Sequence, residues 1–95
     1  MDKRCIVMIS PFAEKQIVRL PSYIKGHLQV WAETVEMEGI RTVRRLPGYH
    51  DEPLRGDREG QRSVRLSRAY RVIYEETAKE EITLIAIQEI TKHGY

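Results

Sequence analysis

PGYHDEPLRGDREGQRSVRLSRAYRVIY, residues Pro47 to Tyr74, changes character halfway along. From Gly48 to Gly60 it has no hydrophobic period, only turn residues and charge, with His50, Asp51 and Glu52 near its start. A loop this long inside a small domain is usually either functional or disordered. From Arg62 the pattern becomes regular. Val64 and Leu66 alternate with Ser63 and Arg65, then Tyr70, Val72 and Tyr74 alternate with Arg71 and Ile73. A period of two predicts strands, and the short link Ser67-Arg68-Ala69 makes them a hairpin. Centring the hairpin on Arg68 sets Leu66 opposite Tyr70, Val64 opposite Val72 and Arg65 opposite Arg71 on the other face, beside Ser63. Like charges directly across a ladder repel, at a cost of a few tenths to about 1 kcal/mol. A phosphate between the two guanidinium groups would turn that repulsion into charge-assisted contacts. The alternatives are that both arginines reach apart into solvent or pair with Glu52 or Asp57.

Working outward, the N-terminal half reads as support. Arg4 to Ile9 is a short apolar run with Ile6, Val7 and Ile9, expected to be a strand buried on both faces. Ser10-Pro11 is a helix start, a hydroxyl cap followed by proline at the first helical position. Ala13, Ile17 and Leu20 then share a helical face until Pro21 interrupts. A second helix begins at Pro21-Ser22. Its stripe Ile24, Leu28, Trp31 and Val35 faces a core, and Gly39 ends it. Gly26 inside it reads as a point of close helix packing. Arg41 to Leu46 suits a short third helical turn. Beyond the hairpin, Thr77-Ala78-Lys79 reads as a turn. Glu81 to Ile90 reads as a further strand, central in the sheet because both its faces are apolar. The expected fold is a single α+β domain over residues 1–95: two N-terminal helices packed on a small, mainly antiparallel twisted sheet.

Composition narrows the function. The 95 residues suit one domain, and the net charge of +2 says little by itself. Its distribution says more: from Arg41 to Arg71 the chain carries arginines and no lysine. The arginine fork matches phosphate or carboxylate bidentately. Cys5 is the only cysteine, which rules out an internal disulfide and suits a reducing, cytoplasmic compartment. The apolar run at Cys5–Ile9 stops at Ser10-Pro11, too short for a signal-peptide core or a membrane span. Gly56 and Gly60 lack the strand-then-helix setting of a phosphate loop. His50 and Asp51 have no second histidine at ligand spacing. Neither a metal nor a small-molecule cofactor is expected.

What remains is acid–base chemistry. His50, Asp51 and Glu52 precede the hairpin, and His93 and Tyr95 follow the last strand. Histidine, carboxylate, paired arginines and tyrosine together suggest metal-free cleavage of RNA. The 2′-hydroxyl is the nucleophile, a base takes its proton, cations hold the phosphate and an acid protonates the leaving 5′-oxygen. DNA has no such hydroxyl.

The stretch Glu52-Pro53-Leu54, then Gly60, Arg62-Ser63-Val64-Arg65-Leu66, Tyr70-Arg71-Val72-Ile73-Tyr74 and the ending Lys92-His93-Gly94-Tyr95 resembles the RelE/ParE superfamily of toxins from bacterial toxin–antitoxin systems, nearest its YoeB-like and HigB-like branch. The likeness covers most of the chain in element order. It implies a ribosome-dependent mRNA interferase, an endoribonuclease acting on mRNA in the ribosome and neutralised by a cognate antitoxin. By position it implies Glu52 as general base, Arg71 as the phosphate-binding arginine, Arg65 as a second basic group and His93 as general acid. Tyr95 resembles that branch's terminal tyrosine, although Gly94 separates it from His93 where the branch has the two adjacent. The lysines used by RelE itself have no counterpart here, and His50 could serve as base as a histidine does in the YafQ-like branch. The rival implication is a ParE-like toxin that inhibits DNA gyrase by binding. ParE-like chains generally lack the carboxylate and C-terminal histidine, so Glu52 with His93 favours the nuclease.

Overall fold

The computed structural model describes residues 4–92. In chain order the elements are β1 (Arg4–Ile9), α1 (Pro11–Val18), α2 (Ser22–Glu38), α3 (Ile40–Arg44), β2 (Glu52–Pro53), β3 (Gln61–Arg65), β4 (Tyr70–Lys79) and β5 (Ile82–Lys92). Single 3-10 turns occupy Pro47–Tyr49 and Gly56–Arg58. The strands form one five-stranded sheet in the order β1-β5-β4-β3-β2. β1 runs parallel to β5, and the other neighbours are antiparallel. The architecture is therefore α+β as expected, with α1 over β5 and α2 over β1. No helix among the described residues is long and apolar enough to cross a membrane.

Local chemistry explains the helices. Ser10 Oγ accepts the Ala13 N–H at 3.0 Å, and Pro11 fills the first turn, where its missing N–H costs nothing. The same hydroxyl donates to the Gln88 carbonyl at 2.9 Å. Gln16 brackets Ile90, donating to its carbonyl at 2.9 Å and accepting its N–H at 2.6 Å. These bonds serve a stretch of β5 where the ladder with β4 slips: Ile73 faces Glu89 but Tyr74 faces Ile87, leaving Gln88 over. Along α2 the predicted stripe Ile24, Leu28, Trp31 and Val35 is buried. It packs with Val64, Val72, Tyr74, Ile85 and Ile87 from the sheet. The Trp31 and Tyr74 ring centroids lie 5.5 Å apart, tilted by 49°. Gly39 ends α2 at φ 87°, a backbone conformation that favours glycine.

Four expectations are corrected. β1 is not buried on both faces: it is an edge strand, and Met8, on the face opposite Cys5 and Val7, is 54% exposed because the described helices pack on the Cys5 side of the sheet. Gly26 permits no close packing, since a side chain there would meet nothing within 4 Å. The turn expected at Thr77–Lys79 is strand, paired through to Lys79 opposite Ile82, and the chain reverses at Glu80 with φ 55°. The stretch from Gly48 to Gly60 is not all loop, because Glu52 and Pro53 pair with Ser63 and Arg62.

Candidate functional site

Val64 and Val72 are fully buried against the helices, so their strand neighbours point to the uncovered face. The register places Arg65 opposite Arg71, and Arg71 opposite Thr91. The adjoining row runs Glu52, Ser63, Ile73, Glu89 across β2, β3, β4 and β5. Arg71 Nη1 donates to Ser63 Oγ at 3.2 Å, tying the two rows together. Ser63 and Ile73 are buried although, among the described residues, no helix covers this face. Glu89, at the end of this row, forms an ion pair with Arg58 of the Gly56–Arg58 turn.

The carboxylates around this face have different fates. Glu89 is engaged by Arg58. Asp51 points to the helical side, its side chain 1% exposed. There it accepts from Arg62 Nε at 2.6 Å and from the Tyr74 hydroxyl at 2.6 Å. Arg44 Nη2 in turn donates to the Tyr74 oxygen at 3.5 Å and pairs with Glu76. Burial first, then the Asp51 carboxylate, raises the Tyr74 pKa, so this phenol stays protonated and remains the donor. Glu52 is exposed and, among the described residues, takes part in no ion pair. Neither do Arg65 and Arg71, among the described residues, so the cross-strand repulsion is not neutralised by a carboxylate. The face thus presents Arg65 and Arg71 as cross-strand neighbours, a buried hydroxyl, and the carboxylates of Glu52 and Glu75, neither of which forms an ion pair among the described residues. Such a set can bind a phosphate and remove a proton beside it. Among the described residues no three His, Cys, Asp or Glu side chains gather into a metal-binding set.

No protein-family model matches the sequence, and no curated protein matches it. Solved structures do. A chain of the archaeal RelE–RelB complex from Pyrococcus horikoshii OT3 is 25% identical with a TM-score of 0.68, over 99% of this chain and 98% of that one. YafQ from E. coli strain BL21(DE3) is 17% identical with a TM-score of 0.71, over 94% of this chain and 93% of its own. A YoeB/ParE toxin from Agrobacterium tumefaciens is 17% identical with a TM-score of 0.67, over 94% and 99%. The chain has the fold of the RelE/ParE toxin superfamily.

Within this RelE/ParE fold, Arg65, Arg71 and Glu52 come together on one face. His50 does not join them through the sheet. It is exposed, closes the Pro47–Tyr49 turn at φ 44°, and precedes the first paired residue. Histidine is among the few side chains enriched in that left-handed region. His93 and Tyr95 lie outside the described residues; β5 is described to Lys92, opposite Tyr70. Sequence reasoning missed Arg58 and Glu89, whose pairing joins a turn to β5 from distant parts of the chain. It also missed the opposite roles of Asp51 and Glu52. The alternation of a strand, had β2 been foreseen, would have separated them.

Proposed function

We propose that this chain is the toxin of a toxin–antitoxin module and cuts mRNA within the ribosome without a metal ion. The observation that carries the proposal is the register that sets Arg65 beside Arg71, with Glu52 and Ser63 in the adjoining row. In this reading the arginines hold the scissile phosphate. Glu52, which forms no ion pair among the described residues and stands beside Ser63, takes the proton of the 2′-hydroxyl, with His50 as the alternative base. His93, two positions beyond the Thr91 that faces Arg71, protonates the leaving oxygen, and Tyr95 follows it. RNA rather than DNA follows from the need for the 2′-hydroxyl. The mRNA is then the substrate, a cytoplasmic location follows from the ribosome, and no small-molecule cofactor takes part.

The partner is a cognate antitoxin. The archaeal relative was solved as a complex of RelE with RelB. On this chain α2 leaves Tyr23, Val30 and Met37 exposed at intervals of one heptad, an apolar line beside its buried stripe and a surface for such a partner. Expression alone should arrest growth, and co-expression with the small open reading frame beside its gene should restore it. A chain harmless at high expression contradicts a toxin. The function itself is tested by adding the purified protein to a translating extract and mapping mRNA ends. Cuts inside ribosome-occupied codons support the nuclease. Intact mRNA together with inhibited gyrase supercoiling would identify a ParE-like toxin instead.

A further inference from the structure

We propose that Asp51 is a positioning residue, held by Tyr74 and Arg62 on the helical side of the sheet so that Glu52 stands fixed beside Ser63 and Arg71 on the other. The proposal rests on the nuclease reading of Glu52. β2 alone is a poor anchor. It is two residues long, and one of them is Pro53, which has no N–H to donate. After it, the Leu54 N–H bonds the Gln61 carbonyl at 2.9 Å, and the chain then leaves the ladder for the Gly56–Arg58 turn.

Asp51 supplies what the backbone lacks. Its carboxylate accepts at 2.6 Å from Arg62 on β3 and at 2.6 Å from Tyr74 on β4, so two different strands hold it. Tyr74 is itself immobilised, fully buried with its ring against Trp31. Arg44 extends the grip to α3, because it reaches both the Tyr74 oxygen and Glu76. Successive residues of an extended chain point to opposite faces. Clamping the Asp51 side chain beneath the sheet therefore fixes the direction of Glu52 above it. A catalytic carboxylate displaced by about 1 Å can lose about 100-fold in rate, which is what such a clamp prevents.

Tyr74→Phe is the discriminating variant, since it keeps the ring on Trp31 and removes only the donor. The rate at saturating mRNA-programmed ribosomes should fall by about 10- to 100-fold with KM unchanged, because Arg65 and Arg71 are untouched. The same change made in Glu52→Gln should cost nothing further, since Tyr74 acts through Glu52. Hydrogen exchange at the Glu52 and Leu54 amides should quicken in Tyr74→Phe. An unchanged rate, an equal loss in the Glu52→Gln background, or a shift confined to KM would each overturn the proposal. Should the wild-type protein leave mRNA intact, the nuclease reading fails. Amide exchange then decides separately whether Asp51 holds Glu52, and unaltered exchange in Tyr74→Phe would refute the clamp.

Discussion

Replacing Glu52 with glutamine should slow mRNA cleavage by about 100- to 10,000-fold, the usual loss when a general base is removed. Arg71→Ala should lose at least about 100-fold by withdrawing charge from the transition state. Stability should respond differently. Glu52 is exposed, so Glu52→Gln should melt like the parent. Arg71 faces Arg65 across the ladder, and removing it relieves a repulsion of a few tenths to about 1 kcal/mol. That gain is smaller than the cost of leaving the buried Ser63 hydroxyl without this donor, about 1–3 kcal/mol, so Arg71→Ala should be modestly less stable than the parent while being far less active. Single-turnover cleavage and thermal melting on the same preparations separate the two effects. Full activity in Arg71→Ala would remove the phosphate site from this face.

Trp31→Ala should cost about 3–5 kcal/mol, the range for deleting a buried large aromatic side chain. Small domains have only about 5–15 kcal/mol in total, so the variant should be near its unfolding midpoint under mild denaturant. Trp31 is fully buried on α2 and packs against Tyr74, which holds Asp51. Its loss therefore opens a cavity and loosens the buried polar network together. Urea unfolding measures the change. A midpoint equal to the parent's would contradict the packing of α2 on the sheet.

The hairpin was legible because its alternation is unbroken and its link is short, and Val64 does face Val72 across it. The stripe on α2 was legible for a similar reason: one apolar face at helical spacing has one place to go. The misses have physical causes. Apolar residues in β1 signal burial but not which side of the sheet lacks a cover, and the exposure of Met8 follows from the sheet order. The turn at Glu80 carries neither glycine nor asparagine at its left-handed position, so nothing in its composition marks it. β2 escaped notice because two paired residues, one a proline, carry no period. With β2 unseen, the site was legible only in part. Counting along the hairpin pairs Arg65 with Arg71, whereas the parting of Asp51 from Glu52 depends on the strand that begins at Glu52.

The most direct test replaces the 2′-hydroxyl at one mapped cleavage position of an mRNA with hydrogen and presents it in the ribosome. With the 2′-oxygen as nucleophile and Glu52 taking its proton, cleavage at that position should vanish. The unmodified mRNA should yield a 2′,3′-cyclic phosphate or its opened 3′-phosphate on one fragment and a 5′-hydroxyl on the other. Cleavage that persists at the deoxy position, leaving a 3′-hydroxyl and a 5′-phosphate, would mean that water attacks the phosphate and would contradict the role given to this face of the sheet.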